Sequence, residues 1–366
     1  MSGSESTPLF GIARRERIMD MIRTSGAVRV VDLAREFDVS ELTIRRDIGE
    51  LADRGLVTRV HGGATVRSRL DSTSSTSPST GAPRYRVAIV VPSLTYYWPS
   101  IVNSARATAA ELGVQLVLRG ASYDAADQRR QISSVMSSGG IQGLIVAPET
   151  QGPDGHALLT WLDELPIPVV LVERQVPPSL ALEKAEWVTS DHEFGAVLAA
   201  THLASLGHRR VGIVTSVNSP TSARLRRGWD RAVAELGMEP VVDMNVSPLD
   251  SVAAPERTGL AGEVLQRLRD AGATGILIHP DPQAMLVQQY AIDQGWSVPG
   301  DLSIVAYDDE IVGNASPPIT SLSPAKAHVG RRAVEILLTR LTEGPDRPAE
   351  RVHVVPHLQV RESTVR

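Results

Sequence analysis

From Tyr85 onward the chain alternates short apolar runs with stretches of helical period, and that alternation restricts it to a small set of folds. The runs are RVAIVV (86–91), Val114–Leu118, Gly143–Ala147, Val169–Val172, Val211–Val214, Gly275–Ile278 and Ser303–Ala306. Helical patterns fall between them: one reaching about Leu112, then Gln128–Ser138, His156–Leu165, Glu193–Leu206, Leu225–Leu236, Gly262–Ala271 and Gln283–Gln294. Strands separated by helices predict parallel sheets with right-handed crossovers, an α/β architecture. Ligands of such sheets sit beyond the carboxyl ends of the strands. The residues there are Ser93–Trp98, Asp124, Pro148–Glu149, Glu173–Arg174, Ser216–Ser222, His279–Asp281 and Tyr307–Glu310. Carboxylates, arginines and aromatics recur among them although aromatics are only 4% of the chain, a mixture suited to a sugar. The ring face of a sugar stacks on an aromatic, while carboxylates and guanidinium groups bond its hydroxyls in pairs. Any single charged loop residue is more simply explained as facing water.

The first 67 residues have another character. A helix of about Ala13–Arg23 carries Ile18, Met21 and Ile22 on one face, and Gly26 ends it. A second, about Val31–Phe37, has its stripe at Val30, Leu33, Ala34 and Phe37. Ser40 is a natural N-cap for a third helix, Glu41 to about Asp53, which buries Ile44, Ile48 and Leu51. That rotation turns Leu42, Arg45, Arg46 and Gly49 outward, with Thr43 and Glu50 on the flank. Two adjacent arginines near the start of an exposed helix suit a major-groove reader, and Leu42 can meet a thymine methyl. The same arginines also fit a solvated face, and small three-helix units often bind proteins. Leu56–Val60, a turn at His61-Gly62-Gly63 and Ala64–Val66 read as a hairpin, or wing, with Arg59 and His61 near phosphate or the minor groove.

Between these regions SRLDSTSSTSPSTGAP (68–83) is Ser/Thr-rich and nearly free of apolar residues, so it is expected to be a flexible linker. Residues 11–69 hold twelve arginines against nine acids, +3, which leaves −8 of the total −5 on the remainder. A basic head on an acidic body fits nucleic-acid binding at one end. Cysteine is absent, which excludes disulfides and thiolate metal sites. The polar first ten residues lack the apolar core of a signal peptide, and no apolar stretch approaches membrane-spanning length, so a cytoplasmic protein is expected.

The segment RRERIMDMIRTSGAVRVVDLAREFDVSELTIRRDIGELADRGLVTRVHGGAT closely resembles the DeoR-type winged helix, most specifically in VSELTIRRDIGEL and RVHGGAT. The resemblance implies that Ser40, Glu41, Leu42, Thr43, Arg45 and Arg46 read DNA and that Arg59, His61 and Gly62 support the wing. RVAIVVPSLTYYWPSIVNSARATAAELGVQLVL, VTSDHEFGAVLAATHLASLGHRRVGIVT, VPGDLSIVAYDDE and PPITSLSPAKAHVGRRAVEILL resemble the effector domain of the LacI–GalR repressors, over Tyr85 to nearly the end. By that resemblance the head occupies 11–67, the linker 68–84 and the effector domain 85–366. The fold implied is that of periplasmic sugar-binding proteins: two α/β lobes, about 85–188 with 322–343 and 191–318 with 350–366, joined by three crossovers around a cleft. Matched positions place Tyr97 and Trp98 in an aromatic loop, Asp191 at a crossover, Asp281 in the family's Asn-Asp pair and Asp308 in its Gly-Phe-Asp-Asp. Asp124 and Arg174 join them as strand-end ligand candidates. The cleft arginine falls on Leu225 by strict spacing, so Arg224 or Arg226 substitutes after a one-residue slip, and Pro280 replaces the usual Asn.

No hinge helix is evident in the linker. Effector closure is therefore expected to change the spacing or orientation of paired heads in a homodimer. Asp308-Asp309-Glu310 does not read as a metal cluster, because three consecutive acids cannot all face one ion from a strand. His353 and His357 are expected at the surface. No catalytic constellation, phosphate loop or cofactor fingerprint appears. The reading is an effector-responsive transcription regulator on double-stranded DNA, a repressor of carbohydrate-use genes. A solute-binding transport protein and a sugar-modifying enzyme are the competing readings.

Overall fold

The computed structural model describes residues 14, 15, 17–19, 21, 22, 27–53, 57–60, 63–66, 84–217 and 219–365. The expected helix end at Gly26, the turn residues His61 and Gly62, and the linker 68–83 lie outside them, as does the side chain of Arg59. Contacts group the chain into two units, one reaching Leu144 and one starting at Ile145.

In the first unit the described residues between 14 and 22 are helical (α1), followed by β1 (Ala27–Arg29), α2 (Val30–Glu36), α3 (Glu41–Asp53), β2 (Val57–Val60) and β3 (Gly63–Val66). Ile18, Ile22, Val30, Leu33, Phe37, Ile44, Ile48 and Leu51 are buried together with Val28 and Val57, so the helical stripes form one small core. The hairpin β2–β3 forms as expected, but β3 also pairs antiparallel with β1, giving a three-stranded sheet in the order β1-β3-β2. Three residues are too short to show a period, which hides β1 in the sequence. Gly49 is buried rather than outward. Beyond the linker, β4 (Tyr85–Val91) pairs in parallel with β5 (Val114–Gly120), with α4 (Trp98–Glu111) and α5 (Ala125–Ser137) following them.

β6 (Gly143–Val146) leads into the second unit, which continues with α6 (Gly152–Asp163), β7 (Val169–Val172), β8 (Glu186–Ser190), α7 (His192–Ser205), β9 (Arg210–Ser216), α8 (Ser222–Glu235) and β10 (Glu239–Val246). There follow α9 (Ala254–Asp270), β11 (Gly275–Ile278), α10 (Asp281–Asp293), β12 (Ser303–Tyr307), β13 (Thr320–Ser323), α11 (Lys326–Glu343), β14 (Arg351–Val354) and β15 (His357–Gln359). A six-stranded sheet has the order β10-β9-β11-β12-β13-β15, parallel except for β15. Its strands alternate faces at period two. Val211, Ile213, Leu277, Val305, Tyr307 and Leu322 pack toward α7 and α8, whereas Val214, Ile276, Ile278, Ile304 and Ala306 face the core shared with α9 and α10. Burying each such aliphatic side chain contributes about 1.5–3 kcal/mol. β7, β8 and β14 form a second parallel set, backed by α11.

The chain passes between these two strand sets three times: at Asp191, between β13 and α11, and at 355–356. The last passage falls later than the 350 expected, because β14 still pairs with β8. β8 itself begins on Glu186, whose carboxylate is buried between the guanidinium groups of Arg340 and Arg347. That charge cluster gives β8 a polar start that conceals a buried strand.

Candidate DNA-reading helix and effector pocket

Helix α3 is fixed at its start by Ser40, whose Oγ accepts the backbone N–H of Thr43 at 3.2 Å and lies 2.8 Å from the Thr43 hydroxyl. These two residues hold the helix end, as capping requires. The inward face is anchored by more than apolar packing. Buried Asp47 accepts from Arg14 at 2.5 Å and from Arg15 at 3.3 Å, and Arg15 also meets Glu50 at 2.9 Å. Asp47 thus ties α1 to α3, a role the stripe pattern did not reveal, since a charged residue inside an apolar face reads as a break. Outward, Leu42 is 76% exposed and Arg45 and Arg46 are exposed. Arg45 pairs with Glu41 one turn earlier at 3.1 Å. An exposed i,i+4 pair contributes only about 0.3–0.5 kcal/mol, so a phosphate or a base edge can displace Glu41 at small cost. Glu41 is placed to pre-orient Arg45.

In the effector region two of the predicted aromatics have different settings. Trp98 opens α4 instead of lying in the loop, is buried, and donates its indole N–H to the Tyr123 hydroxyl at 3.3 Å. Tyr97 is half-buried with its ring edge-on to Trp98. Asp124 caps α5, accepting the Asp127 N–H at 2.7 Å.

The second unit gathers the remaining candidates around the ends of β7, β8, β11 and β12. Glu173 leaves β7 with φ +56°, and Asp308 and Asp309 leave β12 with φ +118° and +56°. Such left-handed turns at non-glycine residues cost of order 1–3 kcal/mol and persist only where surrounding contacts hold them. Those contacts are visible. The buried Glu173 carboxylate accepts the Ser190 N–H at 2.9 Å and the Ser190 hydroxyl at 2.8 Å, and faces His192 Nε2 at 3.5 Å. Burial drives its pKa up, but His192 and Ser190 outweigh burial and hold it down at about 2. The other His192 ring nitrogen lies 2.7 Å from the Tyr307 hydroxyl, so a carboxylate, an imidazole and a phenol form one buried line. Burial and the neighbouring carboxylates raise Tyr307 well above its ordinary value. His279 stands edge-on to Tyr307, with Nε2 3.7 Å from Asp308, and burial lowers its pKa to about 3, helped by His192.

Asp281 is fully buried and accepts three backbone N–H groups, from Asp309 at 3.2 Å, Glu310 at 2.7 Å and Ile311 at 3.0 Å. Burial raises it to about 6 against the pull of those bonds. It anchors the loop that carries Asp308; its oxygens are spent on backbone, which corrects its placement among the ligand contacts. Arg361 with Asp309 at 2.7 Å and Lys326 with Glu310 at 2.7 Å hold the same loop.

The two candidate arginines of α8 separate clearly. Leu225, Gly228, Trp229, Ala232 and Val233 face inward, and a Cβ on Gly228 would lie 2.0 Å from the Glu193 carbonyl oxygen. Only glycine allows α8 to sit this close to the start of α7. Gly195 plays the same part below it, where a Cβ would lie 2.9 Å from the Tyr307 ring. With α8 so docked, Arg226 turns away to Asp243 at 2.6 Å and the Met244 carbonyl at 2.7 Å, so it leaves the ligand set. Arg224 lines a cavity of about 250 Å³ with Gln175, Ser190, Asp191, His192 and Arg231. Burial, then the nearby Arg174, lowers the Arg224 pKa to about 10. Asp191 caps α7 through the Phe194 N–H at 3.0 Å while lining the same cavity. Arg174 is buried and donates to the Glu173 carbonyl at 2.9 Å. His353 and His357 are exposed as expected, yet His353 borders this cavity. A larger cavity of about 540 Å³, between α6, β7 and α11, has mainly Leu, Pro and Val walls, with Asp163, Lys184 and the paired Glu186 and Arg340 among its lining.

Comparison with known proteins agrees with both halves. Residues 14–69 match the DeoR-like helix-turn-helix domain and residues 200–364 the periplasmic binding protein-like domain. The arabinose metabolism transcriptional repressor of Geobacillus stearothermophilus is 27% identical over 338 residues, 91% of this chain and 90% of that repressor. Among solved structures, a transcriptional regulator CelR–cellobiose complex superposes with TM-score 0.65 at 21% identity, over 88% of this chain and 90% of that one. A lac repressor dimer bound to operator and the anti-inducer ONPF gives TM-score 0.65 at 20% identity, over 79% and 96%. The described residues contain no helix long and apolar enough to cross a membrane. The chain thus carries a DeoR-like helix-turn-helix domain over residues 14–69 and a periplasmic binding protein-like domain over residues 200–364.

Proposed function

We infer that this chain is an effector-responsive DNA-binding transcription regulator, a repressor of carbohydrate-use genes that acts in the cytoplasm as a homodimer and performs no catalysis. The observation that carries this reading is the exposed face of α3: Leu42, Arg45 and Arg46 stand free of the core on a helix whose start is capped and whose back is pinned by Asp47. Ser40, Thr43 and Glu41 position that face, and Arg59, His61 and Gly62 are assigned to the wing. A solute-binding protein has no use for such a helix, and the Glu173–His192–Tyr307 line lacks an exposed nucleophile. The relative from Geobacillus stearothermophilus is a transcriptional repressor of arabinose metabolism.

The effector site in this reading uses Arg174, Asp191, Arg224 and Asp308 of the second unit, with Asp281 holding the Asp308 loop; Tyr97, Trp98 and Asp124 lie in the first unit. Effector binding changes how the paired heads fit their half-sites, which a two-fold dimer must meet about one or a few helical turns apart. A gel shift on the gene's own upstream DNA, with and without a panel of sugars and nucleosides, tests this. A retarded band released by one compound is expected. Retention of the shift in Arg45→Ala and Arg46→Ala chains, or no shift on any neighbouring promoter, contradicts it.

A further inference from the structure

We propose that the effector is an oxyanion-bearing sugar, with its phosphoryl or carboxylate group held by Arg224 and Arg231 of α8 and its hydroxyls turned toward Asp191. The inference deepens the regulator reading, since it takes the cavity at the start of α7 to be the effector site.

The charges around this cavity are unevenly committed. Glu173 already accepts two bonds from Ser190 and faces His192. Glu193 is taken by Arg227, at 2.6 Å and 2.9 Å, and Asp191 gives one oxygen to the cap of α7. Among the cations, Arg226 has Asp243 and Arg227 has Glu193. Arg224 has no hydrogen-bond acceptor and no carboxylate within ion-pair distance among the described residues, although it is half-buried and beside the buried Arg174. Arg224, Arg227 and Arg231 lie on one stripe of α8, and the outer two face the cavity.

A guanidinium group offers five N–H donors and no acceptor, so what completes this site must accept. The half-buried Arg224 also feels the positive charge of the buried Arg174, only partly offset by Glu173 and Glu193, and a neutral sugar leaves that repulsion in place. An oxyanion removes it, and its paired oxygens match the planar fork of arginine. Asp191, which gives only Oδ1 to the cap of α7, is suited to sugar hydroxyls at the other side, next to Glu193, whose Oε1 takes both bonds from Arg227.

Calorimetry on the full chain with matched series tests the proposal: arabinose, arabinose 5-phosphate and arabinonate; glucose, glucose 6-phosphate and glucuronate; and inorganic phosphate alone. In at least one series an anionic member should bind at least about tenfold tighter than its neutral parent, equivalent to about 1.4 kcal/mol. Added salt should erode that preference, and the phosphate and carboxylate arms identify which oxyanion is meant. Arg224→Gln should abolish the preference while changing the parent's affinity much less, and Arg224→Lys should keep part of it; unfolding curves establish that both variants fold. The proposal is overturned if a neutral parent binds as tightly as its anionic partners, or if the preference survives Arg224→Gln. Operator binding measured alongside separates the two readings. A neutral sugar that binds and releases DNA leaves the regulator and removes the oxyanion. An oxyanion bound through Arg224 by a chain that retards no DNA keeps the site and removes the regulator, and no binding in any series removes the site.

Discussion

The head and the effector unit treat charge in opposite ways. In the head, the ion pairs of Asp47 with Arg14 and Arg15 are buried behind α3, while Arg45 and Arg46 are displayed on the outside with only a weak partner at Glu41. In the effector unit carboxylates are drawn inward and spent, Asp281 on three backbone N–H groups and Glu173 on Ser190 and His192, while Asp191 gives only one oxygen to the α7 cap. A surface that must meet a polyanion of any register keeps its cations exposed and loosely held. A cavity that must recognise one small molecule instead fixes its acids on the scaffold and leaves few groups open. The difference teaches that residue type alone does not mark a binding group; what matters is whether the scaffold has already used its bonding capacity.

That contrast can be broken most severely at Gly228. Gly228→Ala sets a Cβ against the Glu193 backbone, where only a shift of α8 can relieve the clash. It should destabilise the effector unit by about 3 kcal/mol, displace Arg224 and weaken effector binding; thermal unfolding and calorimetry check this. Arg46→Ala should do the reverse, weakening operator binding by about 1–3 kcal/mol and leaving effector affinity unchanged, read by fluorescence anisotropy and calorimetry. The same pairing applies to Asp308→Ala, which is expected to lower effector affinity without touching operator affinity.

A pH prediction sharpens the buried side of the comparison. His279 stays neutral in the folded chain down to about pH 3, whereas in the unfolded chain it takes a proton near its ordinary 6.5. The unfolded state therefore binds more protons between those values, so the stability from this residue is full above 6.5 and is lost as pH falls toward 3. His279→Leu should flatten the slope of unfolding free energy in that window by up to about 1.4 kcal/mol per pH unit, measured by denaturant unfolding at several pH values. Glu173, depressed to about 2, adds its loss only as pH falls below 4.5. The smallest effect is expected at Ser40→Ala, about 1 kcal/mol of head stability through the lost cap, with a modest loss of DNA affinity.

Much of this fold is legible in the residue pattern because β4, β7, β9, β11 and β12 carry near-continuous apolar runs, as strands covered on both faces do. The strands that escape it have local reasons. β1 has three residues, β10 lies at a sheet edge and alternates, β8 begins on the buried Glu186, and β14 and β15 present exposed histidines. In the head, α3 follows from Ser40 and the Ile44–Ile48–Leu51 stripe to the residue, while Asp47 and Gly49, on opposite flanks of that stripe, are buried as well. The site is less legible for a geometric reason. Arg224 and Arg226 are two positions apart on a helix, a rotation of about 200°, and only the inward set of Leu225, Gly228 and Trp229 decides which faces the cavity. Asp281 shows the same limit, since sequence does not distinguish a carboxylate facing a ligand from one facing backbone N–H groups.

The central claim is that a displayed basic helix and a small-molecule cavity act as one switch. It is tested most directly by the operator affinity of the full-length chain, measured by anisotropy on its upstream DNA before and after saturation with a compound shown by calorimetry to bind. The account predicts that the dissociation constant for DNA changes by at least about tenfold, a coupling of about 1.4 kcal/mol. An operator affinity that stays the same while the compound is fully bound would contradict it.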